Sequence, residues 1–201
     1  MIAIDNLEFD LSNGLFSKLS APSNPDRKII GNNEIISERD HRAVSCYPNT
    51  VVNNYVPFYF SIKTPMLYNI YSGYGVPKMD QRDIVYLCTP LLELAIDDYQ
   101  WCFTDGNAAK KITRYFSNLD DINKIDWHSI ESNDFRHDNA DGDEDRIRKK
   151  HSEFLVKDYV HINKIRGLAV YNNESKERVK KLIEELEIDI ELKVKKDFYF
   201  Y

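Results

Sequence analysis

A glutamate opens an apolar run in Lys150-His151-Ser152-Glu153-Phe154-Leu155-Val156. The aromatic and branched residues behind it predict a strand, and a strand end is a rigid mount for a side chain. A carboxylate there is either the last solvated residue before the strand or a fixed negative charge. In the second case it suits cleavage of a glycosidic bond through an oxocarbenium-like sugar, whose growing positive charge a preorganised carboxylate stabilises. Ser37-Glu38-Arg39-Asp40-His41-Arg42 offers the opposite charge. Arginines among acids usually make a solvated turn; one turned into a cleft would bind a pyrophosphate or a base edge through its planar fork. Tyr55–Phe60 with Thr64–Asn69 is rich in aromatics. Most of these rings are expected in the core, while one or two of Tyr55, Tyr59 and Tyr68 could stack a nicotinamide or a base.

Other chemistries lack their residues. Cys46, Cys88 and Cys102 are odd in number and include no Cys-x-x-Cys pair, which reads as free thiols in a reducing cytoplasm. The histidines have no zinc-like spacing with cysteine. The acidic stretch around Gly142 fails as a calcium loop, because its first position would be His137 and its twelfth Arg148. No Gly-x-Gly-x-x-Gly or Walker sequence is present, so an ordinary Rossmann dehydrogenase is excluded.

The elements that would position these residues fit one domain, 1–201. Apolar residues are 42% and charged residues 30% of the chain, a soluble globular composition. No apolar run approaches the ~18 residues of a membrane span, and Met1–Asp5 lacks the basic and apolar regions of a secretory signal. The net charge of −6 argues weakly against nucleic acid. It is unevenly spread, however: Arg146, Arg148, Lys149, Lys150 and His151 form a basic run behind an acidic one at 138–145. Asp5 is expected to cap a short helix ending near Gly14, and residues 18–34 read as a long loop. A strand over 55–60 carries Pro57, which suits an edge position or a bulge. Thr64-Pro65 starts a helix, Ile84–Thr89 is a buried strand, and Pro90 opens a helix to about Ile96. Leu168–Tyr171 is a strand, and Glu174–Leu186 is a helix with Val179, Leu182, Ile183 and Leu186 on one face. Ile188–Val194 and Phe198–Tyr201 read as strands, and 134–150 as a mobile loop or frayed helix. The class is α+β.

Taken in order, these segments resemble the DarT-type toxins, the DNA ADP-ribosyltransferases of toxin–antitoxin systems. The likeness runs through Ile4–Leu7 with Gly14, Gly31-Asn32 with Ile35–Arg39, Tyr55–Phe60, Pro65–Ile70 with Ser72-Gly73, Phe103–Asp105, Ile125–Trp127, Asp134–Arg136, Glu153–Val156 and Phe198–Tyr201. Tyr-Val-Pro-Phe-Tyr-Phe followed by Pro-Met-Leu-Tyr-Asn-Ile is its most specific part.

The resemblance implies an ADP-ribosyltransferase fold: two facing, mainly antiparallel sheets forming an NAD cleft, flanked by helices. It implies transfer of ADP-ribose from NAD, as co-substrate and without a metal, onto thymine of single-stranded DNA in a short sequence context. It also implies a partner antitoxin whose macrodomain removes the mark; a cytoplasmic monomer is expected. Glu153 falls on the catalytic glutamate and Arg39 on an arginine that contacts NAD. Guanidinium stays charged, so Arg39 is expected to stabilise an anionic thymine or the pyrophosphate rather than act as a base. Met1, Ile2, Phe9 and Ser17 fall near positions lining the NAD pocket, and the nicotinamide is expected near Tyr59 and its strand. Segment 134–152 matches the loop that positions the target nucleotide, so Arg146, Arg148, Lys149, Lys150 and His151 are expected to contact the strand, as is Asn107, where some relatives carry a DNA-contacting histidine. The chain departs at Ala3, where the family has a histidine, and it opens inside the first NAD-lining strand, which is expected to weaken NAD binding or to mark a trimmed start. Two other readings stay open: a DarT-like nucleic-acid-binding module with little catalysis, and a transferase acting on RNA, guanine or protein.

Overall fold

Alternation along the strands sets the layers. A computed structural model describes residues 1–136 and 138–201; His137, in the segment before the basic run, lies outside the described residues. One four-stranded sheet has the order β1 (Ile2–Ala3), β4 (Ile84–Cys88), β9 (Gly167–Val170), β10 (Glu191–Val194), antiparallel except for the parallel β9–β10 pair. A second, wholly antiparallel, has the order β3 (Tyr55–Tyr59), β7 (Glu153–Lys157), β5 (Trp101–Thr104), β6 (Tyr115–Phe116). A ribbon pairs β2 (Leu15–Phe16) with β8 (Tyr159–Val160). The helices are α1 (Leu7–Asn13), α2 (Asn33–His41), α3 (Pro65–Ser72), α4 (Leu91–Leu94), α5 (Trp127–Glu131), α6 (Arg146–Lys150) and α7 (Asn173–Glu185).

Successive strand residues point to opposite faces. Phe154 and Val156 of β7, Phe103 of β5, and Val85, Leu168 and Val170 of the first sheet therefore meet in one shared core with Leu7 and Leu11 of α1 and Val179 and Ile183 of α7. The alternate residues enter two smaller clusters. Leu155, Cys102 and Tyr55 pack with Val44, Val52 and Ala108. Ile84, Tyr86 and Ala169 pack with Leu67 and Ile70 of α3 and with Tyr199. Both faces of the central strands are covered, so β7 reads as a continuous apolar run. This is the α+β arrangement that the resemblance implied.

Several local expectations need correcting. Asp5 caps nothing: a 3-10 turn, Ile4–Asn6, leads into α1, and Asp5 instead pairs with Lys28. Gly14 does end α1, at φ +88°. The loop after β2 stops at Asn32, whose side chain accepts from the N–H groups of Glu34 and Ile35 and starts α2. Phe198–Tyr201 is not a strand. A 3-10 turn, Lys196–Phe198, instead drives Tyr199 inward, and its hydroxyl lies 2.9 Å from the carbonyls of Ile84 and Ala169. Within 134–150, Arg146–Lys150 is helical rather than frayed, for reasons set by its ion pairs. Pro57 lies on an edge strand, where its missing N–H costs no ladder bond.

Candidate active site

Glu153 heads β7, hemmed between β3 and β5, and its side chain is 1% exposed. Its N–H donates to Thr104 Oγ1 at 3.1 Å, and the Thr104 hydroxyl donates to Gly106 O at 2.7 Å. The turn after β5 thereby carries Ala108 back over the carboxylate, and the Ala108 N–H donates to Oε1 at 3.3 Å. The main partner arrives from α2. Arg39 Nη1 donates to Oε1 at 3.0 Å and Nη2 to Oε2 at 2.9 Å, a parallel two-bond fork in a site nearly free of water. Burial works against the Arg39 charge, but the attraction and hydrogen bonds of Glu153 outweigh it and hold its pKa above the ordinary guanidinium value.

Rings surround this pair. Tyr59 lies opposite Glu153 in the β3–β7 register, so their side chains share a face. Burial, then the Glu153 charge, push its phenol well above the usual tyrosine range, and its hydroxyl points to Met66 Sδ at 3.5 Å. The Tyr115 hydroxyl donates to Ala108 O at 2.6 Å, pinning the turn from its other side. The His151 ring sits 5.9 Å from that of Tyr59, with Nδ1 2.9 Å from Ile147 O. A carbonyl only accepts, so Nδ1 carries the proton, and burial lowers the imidazole pKa. His151 is thus a neutral ring beside the ion pair rather than a member of a basic surface.

The basic run as a whole does not form a free cationic face. Arg146 is 3% exposed and pairs with Asp141; it also donates to the Asp134 carbonyl at 3.2 Å. Among the described residues its buried Nε has no hydrogen-bond partner. Arg148 holds Asp145 at 2.6 Å and reaches Asp105 Oδ1 at 3.1 Å, while Lys149 bridges Asp143 at 2.9 Å and Asp126 at 3.1 Å. Lys150 is buried, donating to Ile130 O at 2.8 Å and Ser61 Oγ at 3.2 Å, and among the described residues it pairs with no carboxylate. Burial, then Arg146, push its pKa down to about 8. Asp141, Asp143 and Asp145, which made the segment look highly charged, together with Asp126, are the partners of its cations.

Asn107 lies next to Ala108, its N–H donating to Arg148 O at 2.9 Å, so it borders the carboxylate. Ser17 is buried; its loop is tied to α2 by Lys18–Asp40 at 2.5 Å and to the turn before β3 by the Leu19 N–H donating to Asn53 O at 3.2 Å. Met1 packs with the α3 cluster, Ile2 pairs with Val85, and Phe9 is half-buried on α1. Among the described residues no hydrogen bond joins Met1, Ile2 or Phe9 to Arg39 or Glu153. Thr104, Ala108 and Tyr115 went unread as site residues. Thr104 acts through a hydroxyl on the neighbouring strand and Ala108 through its backbone, and neither leaves a pattern in the sequence. Hollows of about 480 Å³ between α7 and residues 187–192, and of about 300 Å³ beside the start of α2, do not touch Glu153. The candidate site is the buried pair. Among the described residues no group of three or more His, Cys, Asp or Glu is arranged to hold a metal, and no helix is long and apolar enough to cross a membrane.

Known proteins match this chain over nearly its whole length. The sequence model of the family "ssDNA thymidine ADP-ribosyltransferase, DarT" matches residues 1–200. A DNA ADP-ribosyl transferase of Escherichia coli O127:H6 is 29% identical over 98% of this chain and 89% of its own length. Thermus sp. 2.9 DarT in complex with ADP-ribosylated ssDNA superimposes with a TM-score of 0.89 at 28% identity, covering 98% of this chain and 93% of that one. The same Thermus protein in complex with NAD+ gives 0.84, covering 98% and 94%. Fold and site together belong to the DNA ADP-ribosyltransferases. Within that class, the chain is a member of the DarT family.

Proposed function

We propose that this protein transfers ADP-ribose from NAD onto thymine of single-stranded DNA in a short sequence context, as one domain over residues 1–201. We further propose that it acts in the cytoplasm as a monomeric toxin, opposed by an antitoxin whose macrodomain hydrolyses the adduct. One observation carries the chemical part. A carboxylate offers about four acceptor positions. Among the described residues Oε1 takes Arg39 and Ala108, whereas Oε2 takes Arg39 alone. The position left on Oε2 suits a ribose 2′-hydroxyl, and the carboxylate then stabilises the oxocarbenium-like sugar as nicotinamide leaves. Glu153 is 1% exposed, so the sugar's approach requires a neighbouring side chain to move aside. Arg39 keeps the carboxylate ionised and oriented, and it can balance the negative charge of the pyrophosphate or of a deprotonated thymine. A single strand presents its base without duplex unstacking. Ser17, with Met1, Ile2, Phe9 and Tyr59, would line the NAD site; Asn107 would contact DNA from beside the carboxylate. Arg146, Arg148, Lys149, Lys150 and His151 would act mainly by shaping the loop that meets the strand.

The test is the mass and position of any adduct formed from NAD and thymine-bearing oligonucleotides. Glu153→Gln keeps the size of the side chain but removes the charge and replaces one acceptor of the clamp by an amide donor, whereas Glu153→Ala removes both acceptors and leaves a gap beside the buried guanidinium. Labelling should fall by at least about 100-fold in the glutamine variant. Wild-type labelling by that variant would remove Glu153 from the mechanism, and an adduct on RNA, guanine or protein alone would replace the acceptor. Release of the label by a macrodomain hydrolase tests the antitoxin pairing.

A further inference from the structure

The outward face of α3 has no physical reason to be aromatic if it only meets water. Leu67 and Ile70 turn inward, and the opposite face of a surface helix is ordinarily polar. Here Tyr68 and Tyr71, one turn apart, are 43% and 38% exposed, and Tyr74 beyond the helix is 76% exposed. Two further rings extend the patch. Phe200 lies 5.3 Å from Tyr68 edge-on and 6.1 Å from Tyr71 with the ring planes 21° apart, and Phe135 lies 5.8 Å from Tyr68. The patch is rigid. Gln81 donates to Phe200 O at 2.7 Å and accepts from its N–H at 2.8 Å, and Tyr199 beside it is fully buried.

Cations bound the patch. Lys63 precedes α3 with Nζ 5.0 Å from the Tyr201 ring, where Lys196 also reaches at 5.7 Å. Lys78 packs against Gly73 at the other end of α3. The acids nearest in sequence, Asp80 and Asp134, are each paired with an arginine, Arg82 and Arg136; Asp197 is exposed. The patch also adjoins the chemistry: Met66, two residues before Tyr68, touches the Tyr59 hydroxyl, and Tyr59 faces Glu153 across the strands. Stackable rings framed by ammonium groups suit single-stranded nucleic acid, whose bases stack on aromatic faces while its phosphates meet cations.

We propose that Tyr68, Tyr71, Phe135 and Phe200, with Lys63 and Lys78, form a stacking platform for nucleotides of single-stranded DNA that flank the modified base. The platform rests on the reading of Glu153 as the centre that modifies DNA. An eight-residue helix spans about 12 Å, room for roughly two or three nucleotides, so the flanking preference arises partly here.

Fluorescence anisotropy with oligothymidines of three to nine nucleotides, without NAD, tests it. For the wild type, affinity should climb with length. In Tyr68→Ser/Tyr71→Ser the gain between the short and long oligomers should shrink by about ten-fold or more, and Lys63→Gln/Lys78→Gln should flatten the salt dependence. Circular dichroism checks that the variants fold. A length dependence identical to wild type in both folded variants overturns the platform and leaves the face to a protein partner; a wild type that binds no oligothymidine overturns it too. Adduct formation by the wild type is measured separately, so a chain that binds along the platform but labels no DNA sinks the proposed reaction and not the surface.

Discussion

Arg39 and Glu153 hold each other where solvent scarcely reaches, and that makes the pair sensitive to shape as well as charge. Arg39→Lys keeps a cation but loses the planar fork, so one carboxylate oxygen loses its donor. Labelling should fall by at least about ten-fold, with a lower melting temperature; unchanged kinetics would show that charge alone suffices. Lys150 tests a different property. Its folded pKa, about 8, lies below the ordinary lysine value of 10.5. Between those values the unfolded chain binds the proton that the folded one has released, so stability rises with pH across that window. Compared with Lys150→Met in urea titrations, the wild type should gain stability between pH 7 and pH 10. A constant difference would place the ammonium in better solvation than its surroundings indicate. The strand behind Glu153 was legible from its apolar run, but the run left open whether the carboxylate at its head was solvated or held, and the structure buries it. Arg39 was ambiguous between turn and cleft, because a charge-rich segment looks alike in both settings until its partner, 114 positions away, is in place.

Elements turned out less legible than residues wherever tertiary packing overrides local pattern. Thr64-Pro65, Ile84–Cys88 and α7 carried caps, apolar runs or clear periodicity and were read within a residue or two. α2 has only Ile35 and Ile36 as apolar residues and is announced by the Asn32 cap alone. β5 is four residues long and is buried as an inner strand, which its composition does not reveal. The turn between β5 and β6 shows what such a segment controls. A Cβ at Gly106 would lie 2.1 Å from Arg148 Nη1 and 3.0 Å from its Cγ. Gly106→Ala should therefore push Arg148 off Asp105 and displace Ala108 from the carboxylate. A shift near 1 Å at a catalytic group costs up to about 100-fold, so labelling should drop by about 10- to 100-fold with a smaller loss in thermal stability. Full activity would mean that the Ala108 contact is dispensable.

Across the molecule, one shared cluster joins the two sheets and a smaller cluster covers the other face of each, and the end of the described chain belongs to the one beneath α3. Tyr199 reaches carbonyls on both β4 and β9. Tyr199→Phe should destabilise the fold by about 1–2 kcal/mol through those carbonyls. Chemical denaturation measures it, and no change would mean that water replaces the hydroxyl. The aromatic ending was visible in the sequence, but its inward turn was not, since clustered aromatics suit a strand as readily as an anchored tail.

The clamp between Arg39 and Glu153 also bears on when the protein can become active at all. Its halves come from opposite ends of a long stretch of chain, and β7 is inserted between two strands made earlier. A nascent polypeptide with its last third still in the ribosome therefore owns an arginine and no carboxylate to match it. The clamp can therefore close only once β7 has joined the sheet. Because β7 is an inner strand whose Phe154, Leu155 and Val156 are buried, loosening it should open the core around it as well.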